Sequence, residues 1–144
     1  MDRQGAGYRR PVPCRIPDFL ELVHQLEGVA QSDHDWYSKL QASGRTFGYL
    51  WERTSTVGLK QTIAEQLGLV SERPEVFEVQ FTSGGFGWVV VKLELIERDE
   101  LAELTFEAWR LTAPAVVVEA RADRGGPGTE AKSGAALGPS PLPS

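Results

Sequence analysis

The chain has 144 residues, 41% of them hydrophobic and 24% charged, which is the composition of one ordinary globular domain. No apolar run approaches the roughly 20 residues of a membrane-spanning helix, and no apolar stretch follows the N-terminal arginines as in a secretory signal. These features predict a cytoplasmic protein without membrane contact. The single cysteine, Cys14, excludes an intrachain disulfide, and its Pro- and Arg-rich surroundings predict an incidental residue rather than a reactive thiol.

Charge divides the chain into three segments. Residues 1–15 contain four arginines and one aspartate, which predicts a loose basic leader. Residues 16–120 hold eight Lys or Arg and seventeen Asp or Glu, a net charge of −9, and form the predicted folded domain. Residues 121–144 are rich in Gly, Pro, Ser and Ala and predict a disordered tail. Because phosphate backbones are bound by clustered cations, the acidic domain counts against nucleic acid as a partner.

The first predicted element is a helix from Pro17 to Glu27, with proline in its first turn and a glycine directly after its end. A short strand is predicted over residues 36–40. Alternation of apolar and polar residues then predicts strands over 45–52 and 56–60, joined by a polar turn as a hairpin.

Three aromatic residues dominate the strand over residues 45–52. Alternation places Phe47, Tyr49 and Trp51 on one face of this strand. The interpretation we favour is core packing against a helix. The alternative is a shallow aromatic pocket that stacks a planar ligand.

A second hairpin follows a short helix that is capped by Thr62 and predicted to stop near Gly68. Its strands are predicted over residues 76–82 and 88–96, with the glycine-rich stretch 83–87 as the connecting turn. A phosphate-binding loop would lead into a helix and end in Gly-Lys-Ser or Gly-Lys-Thr, and this stretch does neither.

The last predicted helix, from Asp99 to just before Pro114, carries two apolar stripes. A helix on a sheet needs only one stripe, so Phe106 and Trp109 in the second stripe require another cover. The first helix or the segment 116–118 provides that cover in the interpretation we favour, which predicts a monomer. The alternative is a second copy of the chain.

The order of these elements predicts an α+β fold. Hairpins rather than crossover connections join the strands, so the sheet is expected to be antiparallel, with helices packed on one face.

The sequence shows no catalytic or metal-binding constellation. His24 lies off the apolar stripe of the first helix. His34 sits between Asp33 and Asp35 in a predicted loop, where adjacent side chains rarely converge on one metal, and no HxxxH or CxxC spacing supports a site. The sequence therefore predicts a protein that is not an enzyme and has no metal and no cofactor.

Several short strings occur in a characteristic order between residues 18 and 118. They are Gly44-Arg-Thr-Phe47, Leu59-Lys60, Glu65-Gln-Leu67, Pro74-Glu-Val-Phe77, Gly87-Trp-Val-Val-Val-Lys-Leu93, Asp99-Glu-Leu101 and Ala108-Trp-Arg-Leu-Thr-Ala-Pro114. In order and spacing these strings resemble the MmcQ/YjbR family. The resemblance implies a compact domain with two projecting hairpins, a double-wing arrangement, and a DNA-binding role. One member's name also links the family to mitomycin resistance.

A non-catalytic binding domain is therefore the expected function, with duplex DNA as the partner that the resemblance implies. Small-molecule sequestration, with a planar ligand, or protein interaction is the alternative. The outward cations expected to contact DNA are Arg45, Arg53, Lys60 and Lys92, with Lys39 as a weaker fifth. Phe86 and Trp88 on the second wing are the candidate ligand-binding aromatics. Many family members have a polar and basic stretch before this tryptophan, whereas residues 83–87 carry no charge.

Overall fold

The structure is a computed structural model that describes residues 12–123. Its helices are α1 (Ile16–Val23), α2 (Ile63–Glu72), α3 (Arg98–Arg110) and α4 (Ala115–Asp123). Its strands are β1 (Val29–Asp33), β2 (Ser38–Ala42), β3 (Arg45–Trp51), β4 (Thr56–Thr62), β5 (Phe77–Ser83) and β6 (Phe86–Lys92). Single 3₁₀ turns follow β3 and β6, at Glu52–Thr54 and Leu93–Leu95.

The six strands form one sheet in the order β1-β2-β3-β4-β6-β5, and every neighbouring pair is antiparallel. Hairpins join β1 to β2, β2 to β3, β3 to β4 and β5 to β6, while α2 carries the chain from β4 to the β5 edge. The predicted α+β class with an antiparallel sheet of hairpins is confirmed.

One face of the sheet carries the hydrophobic core. Alternate residues of β2, β3, β4 and β6, including Leu40, Leu50, Leu59 and Val89, are almost completely buried there. Against this face α2 packs on β5 and β6, α3 packs on β3 and β4, and α1 packs on α3. We call the opposite face, which none of the helices in residues 12–123 covers, the helix-free face.

A β-bulge in β3 alters the predicted aromatic pattern. Leu40 pairs with Gly48 and Gln41 pairs with Thr46, which leaves Phe47 as an extra residue in β3. Phe47 is fully buried in the core, whereas Tyr49 and Trp51 project from the helix-free face. The prediction that these three rings share one face is therefore wrong.

Several predicted boundaries also differ. Helix α1 ends at Val23 because the chain then turns tightly, with the N–H of Leu26 bonded to the carbonyl of Val23. Helix α2 continues past Gly68, where glycine costs helix propensity but breaks no hydrogen bond. Strand β6 starts and ends earlier than predicted, and β1 and α4 were not predicted.

The first described residues pack onto the domain. The side chain of Cys14 is 2% exposed, and its N–H donates to the carbonyl of Leu93 at 3.0 Å. The prediction of a loose leader is therefore wrong at Cys14, because this residue is buried in the hydrophobic core. The folded part also extends through α4, past the predicted boundary at residue 120. Residues 1–11 and 124–144, which hold most of the predicted leader and most of the predicted tail, lie outside the described residues.

Candidate functional site

Aromatic side chains of β3, β5 and β6 meet on the helix-free face. The rings of Tyr49 and Trp51 are stacked, with their centroids 5.8 Å apart and their planes at 17°. Tyr49 also contacts Trp88, with centroids 5.5 Å apart, and Trp88 in turn contacts Phe81 at 5.3 Å. Trp88 is 6% exposed, so it supports its neighbours rather than offering a surface of its own.

The row of rings continues to the turn between β1 and β2. Tyr37 lies 6.3 Å from Tyr49, and His34 stacks on Tyr37 with centroids 4.6 Å apart. We call this row the aromatic track. Its members are His34, Tyr37, Tyr49, Trp88 and Phe81.

A glycine in β4 makes room for this arrangement. Gly58 pairs with Tyr49 of β3, and rings from β3 and β6 converge above it. A Cβ at this position would collide with Gln80 Oε1 and lie 2.9 Å from Trp51 Cη2, closer than carbon atoms pack. The absence of a side chain at Gly58 therefore allows the indole of Trp51 to lie on the sheet.

Lysines surround the rings. The three lysines in residues 12–123 are Lys39, Lys60 and Lys92, and each lies between two buried residues, so each points to the helix-free face. Lys39 pairs with Tyr49 across β2 and β3, and Lys60 pairs with Trp88 across β4 and β6. The outward orientation predicted for Lys60 and Lys92 agrees with this register.

Lys60 lies at one end of the face beside two other predicted site residues. Its Nζ is 4.2 Å from the ring centroid of Phe86, a cation–π contact, and the two residues sit on neighbouring strands. Partial burial lowers the pKa of Lys60, and the positive charge of Arg45, exposed at the start of β3, lowers it further. The sheet thus brings together Arg45, Lys60 and Phe86, beside Trp88 of the aromatic track.

The other two predicted cations lie toward the opposite end of β4. Lys92 pairs with Thr56 in register, and its Nζ is 3.6 Å from a carboxylate oxygen of Glu78. Arg53 is exposed in the 3₁₀ turn after β3, where it lines a cleft of about 330 Å³ together with His34 and the highly exposed Trp36.

The cations on the two sides of the sheet differ in whether they form ion pairs. The helix side holds four arginines paired with carboxylates: Arg73 with Glu100, Arg98 with Asp18 and Glu21, Arg110 with Glu107, and Arg121 with Glu27. By contrast, Lys39, Lys60, Arg45 and Arg53 form no ion pair with any carboxylate of residues 12–123. Apart from Arg15 at the start of α1, the cations of residues 12–123 that form no such ion pair therefore lie on the helix-free face and its ends.

Sequence reasoning missed Phe81 and Tyr37. Alternation predicts that Phe81 faces the core with Phe77. A register shift between Val79 and Phe81 instead turns Phe81 to the helix-free face, 39% exposed. Tyr37 lies just before β2 and has no periodic signal. A single-strand pattern cannot reveal either placement, because both depend on the neighbouring strand.

The predicted Asp-His-Asp string forms part of the β1–β2 turn. Asp33 accepts hydrogen bonds from Ser38 and Gln31, which hold its pKa below its usual value. Among the described residues, no group of three or more His, Cys, Asp or Glu side chains is arranged to hold a metal ion. Within the same range no helix is long and apolar enough to cross a membrane.

No protein-family model matches the sequence, and no curated protein is significantly similar to it. Among solved structures, the fold is similar to that of the Deinococcus radiodurans protein DR2400, which has the domain DUF419. The TM-score is 0.63 at 16% sequence identity, and the similarity covers 90% of this chain and 100% of that chain. At this identity the similarity establishes the fold alone.

Proposed function

We propose that this chain is a non-catalytic binding domain of the MmcQ/YjbR kind that binds nucleic acid through its helix-free face. The observation that carries the proposal is the division of cations described above. Four of the five arginines on the helix side of residues 12–123 pair with carboxylates, whereas Lys39, Lys60, Arg45 and Arg53 form no ion pair within this range. The fold similarity supports the family part of the proposal.

The charge balance sets the expected strength of binding. Eight Lys or Arg against seventeen Asp or Glu over residues 16–120 repel a polyanion at long range. Binding then depends on a few local cations and falls as salt rises. We expect a Kd no tighter than roughly 10⁻⁶ M at physiological salt, the range of non-specific association.

Fluorescence anisotropy with labelled oligonucleotides, measured at several salt concentrations, tests the proposed nucleic-acid binding. Lys39→Gln and Lys60→Gln should each weaken binding and reduce the salt slope by about one unit or less, since each removes one phosphate contact. Arg110→Gln is the matched control, because it removes one exposed positive charge from the helix side. Loss of binding in this control equal to that in the lysine variants would contradict the proposed face. No binding to any nucleic acid at low salt would overturn the function.

Sequestration of a planar anionic small molecule is the second candidate. The stacked pair of Tyr49 and Trp51, with Lys39 beside it, favours this alternative. Titration with planar anionic dyes, with tryptophan fluorescence as the readout, distinguishes small-molecule sequestration from nucleic-acid binding. Saturable dye binding that oligonucleotides do not displace favours the small-molecule role.

A further inference from the structure

We infer that the nucleic acid bound by this domain is single-stranded, and that its bases stack along the aromatic track while its phosphates lie against Lys39 and Lys60. This inference rests on the proposed function and specifies its ligand. It is carried by the continuity of the track, by the position of the lysines, and by the placement of the helices.

The aromatic track crosses the sheet rather than following a strand. It begins at the β1–β2 turn with His34, passes over β3 at Tyr49, and ends on the edge strand β5 at Phe81. Neighbouring strands are about 4.8 Å apart, so a track over this many strands has the length of a few nucleotides. Sheet faces with aromatic rings at such spacing are stacking platforms for unpaired bases.

Surface is available for stacking at several points. His34 is exposed, Phe81 is 39% exposed, and Tyr37 and Tyr49 are half-buried. Trp88, which is almost covered, contacts the rings of both Tyr49 and Phe81. A preformed row of rings of this kind loses little conformational entropy when bases bind to it.

The lysines lie where a backbone would run. Lys39 is the register partner of Tyr49, and Lys60 is the register partner of Trp88, so two members of the track have an ammonium group on the adjacent strand. Lys60 is also held over Phe86, which fixes its direction. A strand that stacks on the rings therefore has phosphates within reach of both lysines.

Duplex DNA fits this face less well. The bases of a duplex are already stacked on one another and paired, so they are not free to stack on the exposed rings of this face. Reading the major groove requires a helix or a two-stranded ribbon that enters it. Helices α2 and α3 pack on the other side of the sheet, α1 packs on α3, and α4 contacts α3 through Arg121. The tip of the β5–β6 hairpin, Gly84 and Gly85, carries no cation to hold a duplex backbone.

Fluorescence anisotropy with the full chain provides the test, using a labelled oligothymidylate of about ten nucleotides and a mixed-sequence single strand alone or annealed as a duplex. We expect the single strands to bind more tightly than the duplex. Phe81→Leu and Tyr49→Leu should weaken single-strand binding about 5- to 150-fold, the range for losing one stacked base. Leu67→Ala, a change at an exposed apolar residue of α2, is the control and should leave affinity unchanged. Thermal melting establishes that each variant is folded.

The outcomes separate this inference from the proposed function. Duplex binding that equals or exceeds single-strand binding, or single-strand binding that both leucine variants retain, overturns the inference and leaves nucleic-acid binding through this face standing. If neither the single strands nor the duplex bind at low salt, both the inference and the proposed function are overturned.

Discussion

The indole nitrogen of Trp109 donates a hydrogen bond to the backbone carbonyl of Glu27, with the two atoms 2.8 Å apart. Trp109 is completely buried, and the guanidinium of Arg121 in α4 lies over its ring and over that of Phe106. The segment after α1 and the helix α4 thus cover the second apolar stripe of α3. The internal cover favoured from the sequence agrees with these contacts.

We therefore expect Trp109→Ala to destabilise the domain by roughly 3–5 kcal/mol, as large-to-small core substitutions do, without changing its mass in solution. Trp109→Phe keeps most of the buried ring and loses one hydrogen bond, so it should cost less, on the order of 1–2 kcal/mol. Urea unfolding measures the free energies, and sedimentation measures the mass. A wild-type dimer that Trp109→Ala converts to a folded monomer would show that a second copy shares this surface.

The side chain of Gln66 joins α2 to the bulged part of the β5–β6 pair. Its amide nitrogen donates to the carbonyls of Phe81 at 3.1 Å and Trp88 at 2.9 Å, and the residue is 1% exposed. Gln66→Leu removes both donors from carbonyls at the register shift. We expect a loss of about 2–6 kcal/mol in the free energy of unfolding, at roughly 1–3 kcal/mol for each of the two unsatisfied buried carbonyls.

Gln25→Leu makes the same chemical change at an exposed position and should shift stability by no more than about 0.5 kcal/mol. Equal stability of the two variants in urea unfolding would mean that water or a shift of α2 satisfies both carbonyls.

Features that depend on neighbouring residues in the chain were predictable from the sequence. The Thr62 cap is one, since its Oγ1 accepts a hydrogen bond from the N–H of Glu65 at 3.1 Å, as the capping pattern predicts. The outward direction of Lys60 is another, because alternation holds along β4. These local features, with the order of hairpins and helices, were enough to predict the fold class.

The composition of the candidate site was not predictable in the same way. Register shifts between strand pairs bury Phe47 and bring Phe81 to the helix-free face, and neither strand contains the signal by itself. The half-exposed edge strand β1 lacks apolar alternation and was missed for that reason. Tertiary contact outweighed local pattern at each of these positions.

Substitution by alanine should change the stability of the domain in opposite directions at two glycines, Gly58 and Gly68. Gly58→Ala places a Cβ against Gln80 and Trp51 on the helix-free face, so both side chains must move, and we expect a cost of roughly 1–3 kcal/mol. Gly68 lies within α2, and a Cβ there meets nothing within 4 Å. Gly68→Ala should therefore stabilise the domain by about 0.5–1 kcal/mol.

Thermal melting of both variants provides the comparison. Gly58→Ala should also change the fluorescence of the tryptophans above it, whereas Gly68→Ala should not. If Gly58→Ala melts at or above the wild-type temperature, the rings do not lie on β4 as described.

The buried thiol of Cys14 gives the domain a pH dependence in the alkaline range. Burial raises the pKa of Cys14, and Asp18 and Glu97 raise it further, while Arg98 opposes them. Because the pKa in the folded state lies above that in the unfolded state, the neutral thiol contributes stability below the unfolded pKa of about 8.5. That contribution is lost as pH rises from there through the folded pKa.

The thiol should therefore react slowly with a disulfide reagent at about pH 8 in the native protein and rapidly in urea, where the ordinary pKa returns. Other groups titrate in the same range, so Cys14→Ala is the reference. The difference in free energy of unfolding between wild type and Cys14→Ala should be constant near neutral pH and should shrink above about pH 8.5. Because the N–H of Cys14 is bonded to Leu93, the same reagent reports whether residues 12–15 stay packed. A native thiol that reacts as fast as the unfolded one would show that this segment is detached in solution and that the loose leader predicted from the sequence extends through Cys14.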